Sequence, residues 1–179
     1  MFCKLKDDFK IDDYQIMEER MSFKDMIDGQ LKGISYHRVS SNKESEIMAM
    51  IPTEYQQYFD LNLMYVDVAI PPHTDSGIKS TINFYIKTDD CLTQFYEFNT
   101  NSPKTRQVDN QSDGFLFNEN DLIKTDSFVA KPNEVWLLDV SKPHSVQPQT
   151  KFNSRLAIAL SSVLEYNQVK DILIAKGYL

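Results

Sequence analysis

The chain has 179 residues, of which 41% are apolar and 12% aromatic, and its formal net charge is −7. This composition is typical of a folded protein with one domain of ordinary size, here residues 1–179, and it excludes a disordered chain. The acidic balance argues against a broadly basic nucleic-acid-binding surface, so nucleic acid is not an expected partner.

The first 61 residues are mixed in hydrophobic period and predict a partly helical supporting region. Its predicted elements are a helix over 12–28, a strand over 34–39, a helix over 42–50 capped by Ser40 or Ser41, and a turn over 53–59 after Pro52.

From residue 62 the pattern changes to short alternating strands, separated by turns rich in Pro, Asn and Asp. Because no helical segment lies between these strands, they predict an antiparallel sandwich or barrel rather than a βαβ fold. The predicted strands cover 63–70, 80–87, 92–98, 127–131, 134–140, 144–147 and 154–163. We therefore expect a mainly β core over 62–163, followed over 164–179 by a helix that ends near Gly177.

Cys3 and Cys91 have no CxxC neighbour and predict no disulfide framework. The first residues lack the apolar core of a signal peptide, and no apolar run approaches the length of about 18 residues that a membrane span needs. We therefore expect a cytoplasmic protein with no membrane partner. The oligomeric state is not indicated.

The most informative pattern is the pair His73 and Asp75, followed later by His144. Side chains two residues apart on a strand point the same way, so His73 and Asp75 can reach one ion. His144 follows Pro143 and a predicted strand, which places it to supply a third ligand. Two histidines and one carboxylate suit a non-haem Fe(II) centre with open coordination positions. The pair alone is common by chance, so the metal prediction depends on the third ligand.

Arg155 lies 11 residues after His144. This spacing allows the chain to run half a strand away from His144, turn at a corner over 148–153 and return by half a strand, which brings Arg155 back to the level of the metal site. Its own strand face continues with the small residues Ala157, Ala159 and Ser161, while the other face is bulky. Small neighbours leave space for a ligand, and a guanidinium can bind a planar carboxylate with two parallel hydrogen bonds.

The order of HTD at 73–75, PHSV at 143–146 and Arg155 resembles the 2-oxoglutarate- and Fe(II)-dependent oxygenase superfamily. Within it, the chain looks most like the small phage and bacterial members related to prolyl hydroxylases. The stretch 128–146 also resembles the segment before the family's distal histidine, with Pro132-Asn133 in place of the usual Pro-Gly turn. Asn tolerates the positive φ of such a turn. The resemblance covers 62–163 and implies a double-stranded β-helix, or jelly roll, flanked by N-terminal helices and a C-terminal helix.

Carried over residue by residue, the resemblance implies that His73, Asp75 and His144 bind Fe(II) and that Arg155 binds the far carboxylate of 2-oxoglutarate. It implies O₂ as the oxidant and no catalytic residue beyond the metal ligands. Polar contacts to the cosubstrate are expected from Asn83 and Tyr85, and less strongly from Tyr65, although a polar strand face is ordinarily just solvated. If a phage encodes the protein, the cytoplasm would be that of the host.

The implied activity is a dioxygenase that hydroxylates an amino-acid residue of a protein or peptide, or a free amino acid. Residues 156–162 contain none of the further arginines that DNA-repair members carry, which disfavours repair of alkylated bases. Specificity is expected to depend on the first 60 residues and a loop over 99–126. Two alternatives stay open: a cupin-like metal enzyme that does not use 2-oxoglutarate and so would not need Arg155, and a non-catalytic jelly-roll structural or binding protein without metal.

Overall fold

The chain forms a mainly β structure of two antiparallel sheets in a computed structural model. The structure describes residues 1–27, 30–101, 103–107, 114–147 and 154–179. In these ranges the strands are β1 (Phe2–Lys4), β2 (Tyr14–Ile27), β3 (Gln30–Ser41), β4 (Phe59–Val66), β5 (Ile70–His73), β6 (Ser80–Lys87), β7 (Leu92–Phe98), β8 (Thr105–Gln107), β9 (Phe115–Phe117), β10 (Leu122–Val129), β11 (Val135–Asp139), β12 (His144–Gln147) and β13 (Arg155–Ser162). The helices are α1 (Glu44–Ala49), α2 (Thr53–Gln56) and α3 (Tyr166–Ala175), and a 3-10 turn covers Glu119–Asp121.

The larger sheet has the strand order β1-β11-β6-β13-β4-β3-β2, and the smaller sheet has the order β10-β7-β12-β5-β9-β8. Their strand pairs are antiparallel, which confirms the expectation of a mainly β fold without βαβ units. The predicted strands over 80–87, 92–98 and 144–147 coincide with β6, β7 and β12. The chain passes repeatedly between the sheets, so residues distant in sequence become neighbours.

Adjacent residues of a strand point to opposite sides of a sheet, and in the central strands of the larger sheet both sides are buried. On one face Leu63 and Leu160 pack with Val169 of α3. On the opposite face, called the inner face below, Met64 packs with Phe95 of the smaller sheet. The full burial of an aliphatic side chain such as Leu160 contributes about 1.5–3 kcal/mol to folding. The inner face, between the two sheets, is where the candidate site lies.

Two turns carry the backbone strain that their residue types predict. Asp89 and Asp90, between β6 and β7, have φ values of 42° and 54°. Asn133, between β10 and β11, has a φ of 72°, as the Pro132-Asn133 pair predicts. Asn and Asp tolerate this left-handed region better than other residues with a Cβ atom.

The predicted helix over 12–28 is wrong, because most of this segment is the edge strand β2. Its neighbouring side chains Ile16 and Met17 are 55% and 47% exposed, so neither face of the strand is covered there. A strand without a buried face lacks the period-two pattern that identifies strands. Pairing with β3 determines its conformation instead.

Two smaller corrections concern a helix cap and a loop. Ser40 and Ser41 belong to β3 and do not cap α1, which begins after Lys43 without a side-chain cap. The predicted loop over 99–126 contains β8, β9, the 3-10 turn and the start of β10. These strands are only three residues long at β8 and β9, too short for an alternation to show. The corner predicted over 148–153 lies outside the described residues.

The C-terminal helix is confirmed as α3, and Gly177 follows it with a φ of 83°. Such a left-handed glycine is a common end to a helix. Cys3 and Cys91 are free thiols, as predicted. Among the residues that the structure describes, no helix is long and apolar enough to cross a membrane.

Candidate metal centre

Three side chains of metal-ligand type converge between the two sheets. His73, Asp75 and His144 each offer one ligand atom, and these atoms lie within 4.8 Å of one another. The Oδ1 atom of Asp75 is 3.4 Å from Nε2 of His73 and 3.7 Å from Nε2 of His144. The two imidazole rings have their centres 4.3 Å apart. The three residues could therefore hold one metal ion.

Strand pairing explains why residues 71 positions apart in sequence meet. His73 ends β5 and lies directly opposite His144, which begins β12. Residues directly opposite on paired strands have their side chains on the same face, a few ångströms apart. Asp75 follows β5 by two residues, and its backbone N–H donates to the carbonyl of Val140, 3.2 Å away. The chain just before β12 therefore fixes the carboxylate beside the two rings.

Both histidines are held in the tautomer that a metal needs. Nδ1 of His73 lies 2.8 Å from the carbonyl oxygen of Pro71, and Nδ1 of His144 lies 3.0 Å from that of Lys142. A carbonyl oxygen only accepts, so each Nδ1 must carry the proton and donate it. The lone pair is then on Nε2, the atom that faces Asp75. Such outer hydrogen bonds are typical of metal-binding histidines.

Burial keeps His144 neutral at physiological pH. It is only 6% exposed, and burial together with the charge of His73 lowers its pKa to about 4. Burial acts to raise the pKa of Asp75, but in the metal-free site a protonated His73 can donate to the carboxylate, and this bond and the positive charges of both histidines outweigh burial and lower that pKa. Near pH 7 His144 thus offers a nitrogen lone pair beside the ionised Asp75. Two imidazole nitrogens and one carboxylate oxygen suit a divalent transition metal and leave further coordination positions open.

We expect the metal-free protein to lose stability as the pH falls from 6.5 towards 4. In this window the unfolded chain binds a proton at His144 that the folded chain does not bind, so protonation favours unfolding. The full shift corresponds to about 3 kcal/mol, and the Asp75 contribution, whose pKa is lowered, would be lost only at still lower pH. The free energy of unfolding is measured with urea at a series of pH values, for the metal-stripped wild type and for the metal-stripped His144→Gln variant. A difference between the two proteins that does not change with pH would contradict the expectation.

The guanidinium of Arg155 is buried beside this group without an acidic partner. Arg155 is 2% exposed, and among the described residues no carboxylate forms an ion pair with it. Its Nη2 donates to the hydroxyls of Tyr85 at 2.5 Å and Thr93 at 2.9 Å, while its buried Nε has no hydrogen-bond partner in the described part of the chain. The ring of Tyr85 stacks on the guanidinium, 4.6 Å from its carbon, but a buried charge without a counter-ion still costs free energy. A bound anion would remove that cost.

A polar row along β6 continues from this arginine. The amide of Asn83 donates to the Tyr85 hydroxyl at 3.4 Å, and the Thr81 hydroxyl donates to the Asn83 carbonyl oxygen at 3.1 Å. All three side chains are buried, so this face of β6 is not the solvated face of an ordinary antiparallel strand. The Tyr85 hydroxyl accepts hydrogen bonds from Arg155 and from Asn83.

A cavity of about 40 Å³, called the inner cavity below, joins the two sets of residues. All three candidate ligands line it, together with Arg155 and Asn83. The small residues predicted beside the arginine, Ala159 and Ser161, also line it. The structure therefore brings the predicted ligands, the predicted carboxylate-binding residue and one predicted polar contact into one space.

The prediction for Tyr65 is corrected. Met64 and Val66 of the same strand line the inner cavity, so Tyr65 points to the opposite face of β4 and is absent from the cavity lining. Tyr85 holds Arg155 without lining the cavity itself.

Two residues of the site went unnoticed in the sequence. Thr93 bonds Arg155, and Tyr36 lines the inner cavity with a pKa raised well above its usual range by burial and by the charge of Asp75. Strand alternation assigns Thr93 and Tyr36 each to one face of a strand. Nothing in the sequence indicates which face borders the inner cavity.

Fold and site thus define a mainly β protein with a His-Asp-His group that could hold a metal ion. No protein-family model and no curated protein matches the chain. Its function is therefore inferred from the side chains of the site and from the resemblance that they carry.

Proposed function

We propose that the protein is an Fe(II)- and 2-oxoglutarate-dependent dioxygenase with a jelly-roll core. One observation carries the proposal: the buried Arg155, without an acidic partner among the described residues, shares the inner cavity with the three candidate metal ligands. A cation site beside a lone buried guanidinium suits a ligand that is both a chelator and a carboxylate. A 2-oxo dicarboxylic acid has both properties.

The donor set supports iron as the metal. His73 and His144 would supply Nε2, and Asp75 would supply Oδ1, the atoms that already face one another. Two imidazoles and one carboxylate are the protein ligands of non-haem Fe(II) oxygenases, which need open positions for cosubstrate and O₂. The carbonyl oxygens of Pro71 and Lys142 would orient the two rings.

The arginine and its neighbours would bind the far carboxylate of 2-oxoglutarate. Tyr85 and Thr93 fix Nη2 by accepting its hydrogen bonds, and Nε remains to donate to a carboxylate oxygen. The inner cavity holds about 40 Å³ and adjoins a larger groove at His73 and Asp75, so the far carboxylate would lie in the inner cavity and the 2-oxo acid end at the metal ligands.

Bound iron and 2-oxoglutarate would supply an oxidation by O₂ in which 2-oxoglutarate becomes succinate and CO₂ with one oxygen atom in succinate, and the other oxygen atom is inserted into a substrate C–H bond to give C–OH. The side chains of this protein would bind and orient the reactants and keep water away from them. Residues 156–162 contain no arginine, so we favour an amino-acid residue of a peptide or protein, or a free amino acid, over an alkylated base as the substrate.

Anaerobic addition of Fe(II) and 2-oxoglutarate to the metal-stripped protein tests the proposal. We expect a visible charge-transfer absorption between the metal and the cosubstrate, and succinate after admission of air. Metal binding without this absorption would favour a cupin-like enzyme that does not use 2-oxoglutarate. Folded protein that binds no metal would favour a non-catalytic jelly-roll protein.

A further inference from the structure

A second and larger cavity, called the outer groove below, adjoins the inner cavity. It holds about 780 Å³, and His73, Asp75, Tyr36 and Ile70 line both spaces. The outer groove therefore leads to the side of the metal site that the arginine does not occupy. Pockets of this volume hold small-molecule ligands.

A pair of opposite charges lies in the lining of the outer groove away from Arg155. Nη1 of Arg20 donates to both carboxylate oxygens of Asp60, at 3.0 and 2.8 Å, and to Oδ1 of Asn62 at 3.0 Å. The Asn62 amide donates to Asp60 at 2.8 Å. The side chains of Arg20 and Asp60 are 40% and 64% exposed, so both still face the open space. In the described part of the chain these bonds use only Nη1, which leaves Nη2 and Nε to bind a ligand.

The fold connects this charged pair with the metal site. Asp60 of β4 lies opposite Ser161 of β13, and Ser161 lines both cavities. Between the pair and the candidate ligands the lining of the outer groove is largely apolar, with Ile34, Ile70 and Ile78 beside the ring of Tyr36. A ligand bound along this wall would have a charged end at Arg20 and Asp60 and a less polar end at the metal.

We propose that the substrate is a free α-amino acid. Its carboxylate would bind Arg20, its ammonium group would bind Asp60 and Oδ1 of Asn62, and its side chain would lie along Tyr36 and Ile70 towards the metal. The charge pattern carries this choice, because the two charged groups on one α-carbon are as close together as the Arg20 and Asp60 side chains. A residue within a peptide carries neither charge, since both groups are amides. The inference rests on the proposed dioxygenase function.

The test uses the full-length chain with Fe(II) and 2-oxoglutarate under anaerobic conditions. The common free L-amino acids are added one at a time, and in parallel the N-acetylated, C-amidated derivative of each. Binding is measured as a change in the charge-transfer absorption. After admission of air, turnover is measured as extra succinate and as a product heavier by one oxygen atom. We expect at least one free amino acid to bind and be oxidised, and its blocked derivative to do neither.

Three variants assign the binding to the charged pair. Arg20→Ala and Asp60→Asn should raise the half-saturating concentration of that amino acid by about 10- to 100-fold, the effect of losing one hydrogen bond to a charged group. Arg38→Ala is the matched control, since Arg38 pairs with Glu18 at 3.7 Å and does not line the outer groove. Its half-saturating concentration should equal that of the wild type.

Three results would overturn the inference: no free amino acid binds, a blocked derivative binds as well as the free one, or Arg20→Ala behaves as Arg38→Ala does. Binding of the blocked derivatives would identify a peptide substrate instead. If the charge-transfer absorption forms but no free amino acid changes it or is oxidised, only the proposed substrate class is wrong. If the absorption never forms, the proposed function fails and the amino-acid inference fails with it.

Discussion

Substitution of His73 or Asp75 by Ala should abolish both metal binding and succinate formation. Each change removes one of the three atoms that lie within 4.8 Å of one another, and the two that remain hold a divalent metal far more weakly. For Asp75→Ala the only negative charge of the group is lost as well. Titration with Fe(II) under anaerobic conditions, followed by metal analysis after desalting, measures the effect. We expect no metal to be retained by either variant.

The third histidine of the chain provides a matched control. His37 lies on β3, where its Nε2 is 3.0 Å from the Ser35 hydroxyl, and it is not part of the ligand group. His37→Ala therefore removes an imidazole without touching the candidate site and should bind metal as the wild type does. Asp75→Asn keeps the size of the side chain while removing its charge, so a loss there excludes a mere packing defect. Retention of stoichiometric iron by His73→Ala or Asp75→Ala would refute the assignment of the ligands.

The short strands of the core could be predicted because their turns are chemically explicit. Asp89-Asp90 and Pro132-Asn133 mark the ends of strands, and both places have the positive φ values that Asp and Asn tolerate. The ligand pattern was also readable. His73 and Asp75 lie two residues apart at the end of a strand, and His144 begins another.

The register of the strands could not be predicted. The position of His144 opposite His73 depends on hydrogen bonds between strands far apart in sequence, which no local pattern encodes. The same limit explains the error at Tyr65, because the assignment to a face depends on which face of β4 meets the smaller sheet. The error over 12–28 has a different cause. Ile16 and Met17 of β2 are both exposed, so the pattern of this strand does not mark one buried face.

The sequence also did not predict the roles of residues that act only through their position in the fold. Thr93 looks like any strand threonine until its hydroxyl is found 2.9 Å from Arg155. Asn62 and Asp60 look like the polar start of a strand until Arg20 of β2 bonds both. Tyr85 was the exception, since its place on the polar face of β6 made it a candidate and its hydroxyl bonds the arginine. The role of a residue could thus be predicted where its type and spacing are distinctive. It could not be predicted where a common residue type gains its role from the side chains that it contacts in the fold.

Substitution of Arg155 by Met should separate the stability of the protein from its use of 2-oxoglutarate. Met fills much of the same space without a charge, so the ligand-free protein no longer buries a guanidinium without a counter-ion. This gain offsets the loss of the hydrogen bonds to Tyr85 and Thr93, so we expect the Arg155→Met protein, free of metal and cosubstrate, to unfold close to the temperature of the wild type. Iron binding should be unchanged, because Arg155 supplies no ligand atom. Only the affinity for 2-oxoglutarate should fall.

That loss should be large, because the carboxylate of 2-oxoglutarate would lose the charge-assisted hydrogen bond from Nε. At about 1.5–3 kcal/mol, this bond corresponds to a rise of about 10- to 100-fold in the 2-oxoglutarate concentration that half-saturates the charge-transfer absorption. Arg155→Lys keeps the charge but not the planar fork and should fall between Arg155→Met and the wild type. Tyr85→Phe removes the hydroxyl that holds Nη2 and should raise the requirement by a smaller factor. An Arg155→Met protein that is much less stable and needs no more 2-oxoglutarate would make Arg155 a structural residue, since a guanidinium that stabilises the fold has no need of a ligand.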